Sequence, residues 1–324
     1  MAIGRRQILH LAAGAAALAA VPRLVRAQAY PTGPVRVLVG FPAGTSADTF
    51  ARLMGQWLAE RFGRPFVIEN RPGAGSNIAA ETVAAAPPDG QTLIWLTAAN
   101  ATNVTFYEKM SFNFTRDIAP VAAIARTVFV MVVNPSFPAR TVPEFIAYAK
   151  AHPGEINMAS GGSGTGIHLY GELFKMMTGT DMVQVQYRGD APALTDVIAG
   201  RAQVMFAGST ALEHIRASEL RPLAVTTAAR WDALPGVPTV GDFVPGYEAS
   251  GWQALGAPKA TPRAIIDRLN REINAGLADS RLRARYAALG VTLLGGTPAD
   301  FASLIAEHIE KWGKVIRAGN IRPE

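Results

Sequence analysis

The chain has no cysteine. That excludes a disulfide framework, a thiolate metal site, a cysteine nucleophile and the lipidated cysteine of a bacterial lipoprotein. After residue 29 the longest uninterrupted apolar run is residues 128–133, far short of the roughly 20 residues a membrane-crossing helix needs. The mature protein is therefore expected to be soluble, so any transport role requires membrane partners. Basic residues form no cluster. The formal charge of +6, less the four arginines Arg5, Arg6, Arg23 and Arg26, leaves +2 after residue 29, which removes the electrostatic case for nucleic acid. The five histidines include no pair at metal-ligand spacing, and His152, His214 and His308 have charged or polar neighbours that predict exposed faces. No metal, cofactor or catalytic residue is expected.

Arg5 and Arg6 precede an apolar run over residues 8–21 that ends near Ala27-Gln28-Ala29, a small-x-small cleavage site. The segment 1–29 is read as an export signal, and Arg5-Arg6 with a weakly hydrophobic core fits the twin-arginine form. About 295 residues remain, enough for two domains of ordinary size. Strand-like and helix-like runs alternate in an α/β pattern, starting with the doubly buried strand Val35–Val39 and a helix from Ser46 to about Phe62. Thr45 with Asp48, Thr141 with Glu144, and Thr297 with Asp300 have capping-box spacing. Residues 128–133 read as one strand. Ile265, Ile266, Leu269, Ile273 and Leu277, and Leu304, Ile305, Ile309, Trp312 and Ile316, make apolar helix stripes that predict core packing. No repeat or low-complexity linker divides the chain, so short crossovers are expected near residues 132–134 and 250–253. The domains are then 30–132 with 252–324, and 133–251.

Several motif matches fail. Gly161-Gly162-Ser163-Gly164-Thr165 lacks the second glycine of a serine nucleophile elbow, the lysine of a phosphate loop and the order of a dinucleotide fingerprint. Asn100-Ala101-Thr102, Asn103-Val104-Thr105 and Asn113-Phe114-Thr115 read as turn chemistry rather than glycosylation sites. Three strand-to-helix turns rich in Gly, Ser and Thr remain, at residues 42–48, 160–168 and 188–192. Each can present free backbone N–H groups at a helix N-terminus, an anion site that needs no cationic side chain. In open α/β sheets ligands gather at such strand ends. His168 is of interest because it follows one of these turns, and Asp190 before Ala191-Pro192 suits an N-cap.

At these residues the chain resembles the Bug-type substrate-binding proteins of tripartite tricarboxylate transporters. The likeness runs through Phe41-Pro42-Ala43-Gly44, the block from Val67 through Asn70-Arg71-Pro72-Gly73-Ala74-Gly75 to Ile78, His168-Leu169-Tyr170-Gly171-Glu172-Leu173-Phe174, Ala191-Pro192-Ala193-Leu194, Leu234-Pro235-Gly236-Val237-Pro238-Thr239 and Pro245-Gly246-Tyr247-Glu248. The resemblance implies a two-domain periplasmic-binding-protein fold (type II, Venus-flytrap) with the ligand cleft between the domains and the first domain completed by the C-terminal part. It implies a carboxylate held by the first turn, hence Pro42, Ala43, Gly44, Thr45, Ala47 and Asp48. The facing domain would add Ser163, Thr165, His168, Gly189, Asp190 and Ala191, with Gly208 and Ser209. Thr45, Asp190 and Phe206-Ala207-Gly208 depart from the family pattern, so a relative's ligand does not transfer.

The resulting expectation is a monomeric periplasmic binding protein that captures a small carboxylate and delivers it to the membrane subunits of a secondary transporter. Two other readings stay open. An exported hydrolase or transferase would need an activated nucleophile beside a base, and a sensing module would need a signalling partner.

Overall fold

The computed structural model describes residues 30–323; the expected export signal lies outside the described residues. The strands are β1 (Val35–Val39), β2 (Phe66–Asn70), β3 (Thr92–Thr97), β4 (Ile118–Thr127), β5 (Val130–Val133), β6 (Ile156–Ser160), β7 (Met182–Gln186), β8 (Val204–Ala207), β9 (Arg221–Val225), β10 (Gly251–Pro258) and β11 (Val291–Leu293). The helices used below are α1 (Ser46–Phe62), α2 (Asn77–Ala84), α3 (Ala98–Phe106), α4 (Phe114–Asp117), α5 (Val142–Ala151), α6 (Gly166–Thr178), α7 (Asp190–Ile198), α8 (Leu212–Arg216), α9 (Arg263–Ala278), α10 (Ser280–Ala288) and α11 (Pro298–Ala318).

Two sheets result, ordered β11-β4-β10-β3-β1-β2 and β7-β6-β8-β5-β9. In the first, β2, β1 and β3 are parallel and β10 runs antiparallel beside β3. In the second, β7, β6 and β8 are parallel and β5 runs antiparallel beside β8. The antiparallel strand of each sheet arrives from the other domain, so the two domains are built on one plan and joined by exchanged strands.

The chain leaves the first sheet after Thr127 and enters the second at Val130. The expected single strand over residues 128–133 is thus broken at Val128-Phe129, and the crossing lies earlier than residues 132–134. The chain re-enters the first sheet at Gly251. Both β4 and β10 have sequences that do not read as strands, IAPVAAIART and GWQALGAP. Every residue of β10 is buried, so the sheet interior, rather than β propensity, sets its conformation.

Helices cover both faces of each sheet. On the first, Phe50, Met54 and Leu58 of α1 pack with Leu269 and Ile273 of α9, and the opposite face holds Ala80, Val83, Ala101 and Phe301. Of the predicted stripes, Ile266, Leu269, Ile273, Leu277, Ile305, Trp312 and Ile316 are buried, whereas Ile265, Leu304 and Ile309 are half-buried at the core's edge. Helix α11 does more: Phe301 and Ile305 sit in the first domain's core, while Trp312, Val315 and Ile316 sit in the second domain's core with Phe145, Tyr170 and Phe174. Over 21 residues it spans roughly 31 Å, a strut shared by both domains. His308 belongs to that strut and is 7% exposed, against the expected exposed face. It lies beside Trp252 and Trp312 and within 3.2 Å of Thr102 Oγ1, and burial drives its pKa down to about 3. The crossovers are tied to the strut as well. Arg126 donates to Ser250 Oγ (2.8 Å), Ser250 to Glu248 Oε1 (2.7 Å), and Lys311 to Glu248 Oε2 (2.8 Å).

Among the described residues no helix is long and apolar enough to cross a membrane.

Candidate functional site

The turn from β1 into α1 is held from below. Gly44 takes φ +83°, a conformation that glycine adopts without steric cost, and its N–H donates to Asp48 Oδ2 at 3.0 Å. Thr45 is the N-cap, but its hydroxyl donates back to Pro42 O (2.8 Å) and makes no cap bond. The expected capping box therefore does not form; Asp48 reaches one residue further, to Gly44. Asp48 also receives Arg52 Nε (3.0 Å) and Asn70 Nδ2 (2.9 Å). Desolvation pushes its carboxyl up, and the bonds from Arg52, Gly44 and Asn70 pull harder, so it lies below the usual range. Asp48 is only 4% exposed although it lies near the surface, because these partners cover it. It positions the turn. The N–H groups of Ser46 and Ala47, in the first helical turn, have no acceptor among the described residues.

The turn from β6 into α6 repeats this device. Gly164 has φ +72° and its N–H donates to His168 Nδ1 at 3.2 Å. The Thr165 hydroxyl donates to Gly162 O at 2.8 Å. Gly44, Thr45 and Asp48 thus match Gly164, Thr165 and His168 position for position, an internal repeat that the sequence did not reveal because only the Gly-Thr pair is shared. The same holds one turn on. A Cβ on Gly40 would collide with the Ser76 side chain, and one on Gly161 would collide with the Asp190 carboxylate. Gly189, at φ +111° and ψ +173°, is the N-cap of α7, and Asp190 is its first residue with no side-chain cap bond. The expected N-cap role of Asp190 is corrected accordingly: the extended glycine conformation turns its carboxylate back onto Gly161. Asp190 keeps access to water in a concave wall, yet desolvation by surrounding atoms raises its pKa.

A third turn, from β3 into α3, carries no glycine. Asn100 Oδ1 accepts from Thr97 N–H (2.9 Å) and Asn100 Nδ2 donates to Ser76 Oγ (3.2 Å). Thr97 and Asn100 thus form a capping box at the start of α3, and the buried Thr97 hydroxyl has no other hydrogen-bond partner among the described residues. Asn100 and Asn103, read above as turn residues, are buried in α3; Asn113 does cap a short helix, α4, by accepting from Arg116 N.

These turns meet at one cavity of about 200 Å³ between the domains. The first domain lines it with Phe41, Thr45, Ser46 and Ala47, and with Thr97, Ala98 and Ala99. Thr127, Phe129, Gly251, Trp252 and Gln253 line it from the crossovers, and Gly166 and Tyr170 from α6. No charged residue is among them. Three helix N-termini therefore point at a neutral, partly aromatic cavity, an arrangement able to hold an anion through backbone donors and hydroxyls.

Of the residues nominated from the sequence, Thr45 and Ala47 line the cavity. Pro42, Ala43 and Gly44 form the exposed turn beside it, and Asp48 lies beneath. Thr165 and His168 hold the facing turn, whereas Ser163 points away and donates to Arg322 O at 2.8 Å. Ala191 opens onto a separate groove with Thr195 and His214. Gly189 and Asp190 stand behind Gly161, a Cβ on Gly208 would lie 3.6 Å from the Phe129 ring, and Ser209 starts the short segment before α8. Residues 97–99 and Tyr170 were missed. The turn at residues 97–99 lacks a glycine signal, and Tyr170 stood in a matching block without a role. Among the described residues no group of three His, Cys, Asp or Glu could hold a metal ion.

The model for the tripartite tricarboxylate transporter family receptor matches residues 50–321. The protein BugT of Bordetella pertussis is 34% identical over 93% of this chain and 94% of its own. Among solved structures, Rpa4515 of Rhodopseudomonas palustris with adipate is 37% identical, covers 91% of this chain and 100% of its own, and has a TM-score of 0.81. MatC of the same organism, with bound malate, is 30% identical, covers 89% of this chain and 100% of its own, and has a TM-score of 0.76.

Proposed function

We propose, for a chain that belongs to the tripartite tricarboxylate transporter receptor family, that the interdomain cavity captures a small carboxylate for delivery to the transporter's membrane subunits. The observation that carries this reading is the pair of N–H groups of Ser46 and Ala47 at the start of α1, without an acceptor among the described residues, with the start of α3 and its Thr97 hydroxyl beside them around a cavity without a charged wall. An oxyanion placed there satisfies donors that the protein leaves open, and it stabilises the closed form by its extra affinity for that form. The relatives solved with adipate and malate agree in ligand chemistry. In this reading the first-domain turn, residues 42–48, supplies the carboxylate site. The residues of the facing turns, Ser163, Thr165, His168, Gly189, Asp190, Ala191, Gly208 and Ser209, shape or support the opposite wall. The domains are taken as residues 30–132 with 252–324, and 133–251, hinged at the two crossovers. The arginine-led segment 1–29 directs export to the periplasm.

Thermal-shift and calorimetric screening of the purified protein tests the reading. A carboxylate at 100 times its dissociation constant adds about 2.7 kcal/mol, and Thr97→Val weakens binding roughly tenfold by removing one donor. Stabilisation by neutral sugars and by no carboxylate sinks it.

A further inference from the structure

Tyr170 sits one turn into α6 and is 2% exposed. Its ring packs edge-on against Phe129 (centroids 4.8 Å) and at a tilt against Trp312 (5.0 Å), and its carbonyl accepts from Tyr247 Oη at 3.0 Å. The side chain is thus fixed. Helical side chains lean toward the N-terminus of their helix, which brings the phenol oxygen over Gly166. A Cβ on Gly166 would stand 2.9 Å from it and one on Gly251 3.5 Å. All three residues line the cavity. Burial raises the phenol's pKa, so the group is neutral, and among the described residues its hydroxyl makes no hydrogen bond. The hydroxyl of a buried tyrosine gains from a hydrogen-bond partner, and this one borders the cavity that Gly166 and Gly251 also line.

The surroundings narrow that ligand. Phe41, Phe129 and Trp252 supply aromatic wall, which suits a planar ring. Neither lysine nor arginine lines the cavity, and Asp190, which stands behind Gly161 outside the lining, has no cation partner among the described residues, so no cation offsets a second negative charge on the second-domain side.

We propose that Tyr170 selects an aromatic monocarboxylate whose far end bears a neutral hydrogen-bonding group, with the phenol hydroxyl bonded to that group and the ring against the aromatic walls. This rests on the carboxylate reading above and assigns its substrate class. Calorimetry of the unmodified protein with benzoate, 4-hydroxybenzoate and adipate tests it. The expected order has 4-hydroxybenzoate binding about tenfold tighter than benzoate and adipate weaker than 4-hydroxybenzoate. Tyr170→Phe removes the difference between the two, bringing 4-hydroxybenzoate to the level of benzoate. The benzoate pair alone decides the hydroxyl's role in the unmodified protein, whatever the fold of the variant. Equal affinity for the two arenes, an equal loss of both in Tyr170→Phe, or tightest binding of adipate overturns this inference and leaves the carboxylate reading standing. Binding of no carboxylate at all overturns both.

Discussion

The turns at Gly44 and Gly164 share a backbone and differ in what holds it. In the first domain the acceptor for the glycine N–H is a buried anion, Asp48, clamped by Arg52 and Asn70 of the same domain. In the second it is an imidazole nitrogen of His168, whose other nitrogen lies 3.8 Å from Glu172, itself paired with Lys175 at 2.9 Å. The second turn also leans on its surroundings across the molecule: Gly164 packs against Phe106 of α3, and Ser163 bonds to Arg322 in the C-terminal tail. One turn is therefore preorganised within its own domain, and the other is held partly by elements that follow the first domain. A ligand that docks on the first turn meets a finished site, and closure brings up a second wall whose conformation depends on the interdomain contact.

The sharpest way to break this comparison is to remove the two acceptors. Asp48→Ala takes away a charged acceptor with three kinds of donor and is expected to cost about 3–4 kcal/mol, whereas His168→Ala costs about 1–2 kcal/mol, because hydrogen bonds to charged groups contribute more. Urea midpoints of the two variants measure the difference. The Asp48 contribution also has a pH signature. Its folded pKa is depressed below the ordinary 3.8, so the stabilisation is fully present above that value and disappears as pH falls through the depressed value. Equal costs for the two variants would mean that the anion adds nothing to the turn.

A second pair of variants separates conformation from crowding. At Gly44 an added Cβ meets nothing within 4 Å, while at Gly164 it would stand 2.6 Å from Phe106 Cζ. Gly44→Ala carries only the left-handed penalty, about 1 kcal/mol. Gly164→Ala adds overpacking, for roughly 2–3 kcal/mol in total. If Phe106 swings aside without cost, the two midpoints coincide, and the contact between α3 and the facing turn is not a constraint.

The sequence disclosed this plan unevenly. The β1-turn-α1 unit was legible because a buried apolar strand, a glycine and a Thr N-cap stand in order, and α11 because Thr297, Pro298 and Asp300 start it with a real capping box. Strands β4 and β10 were not legible: alanine, glycine and proline occur in them because neighbours press on both faces, a tertiary cause that no local pattern reports. The turn at residues 97–99 escaped since its hydrogen bonding comes from Asn100 in place of a glycine. His308 was misjudged because its polar sequence neighbours point to other faces of α11. Tyr170 carried no role in the sequence; only the packing of Gly166 and Gly251 around its hydroxyl shows that the oxygen reaches the cavity.

The smallest expected effect tests the matched positions behind the turns. Ser76 and Asp190 occupy equivalent places against Gly40 and Gly161, but Ser76 Oγ accepts a hydrogen bond from Asn100, while the Asp190 carboxylate has no hydrogen bond among the described residues. Desolvation raises its folded pKa above the ordinary 3.8. For an acid the consequence runs opposite to that of Asp48. Between 3.8 and the raised value the folded state binds more protons than the unfolded one, so stability falls as pH rises through that window and stays reduced above it. Asp190→Asn keeps the shape and removes the charge. Its melting temperature should therefore exceed that of the unmodified protein slightly at pH 7 and converge with it below pH 3.8. The gain stays small because the carboxylate retains access to water, which screens the penalty. A lower melting temperature at pH 7 would show instead that the carboxylate is held by a favourable partner in solution, and the charge argument against a second ligand carboxylate at that wall would fall with it.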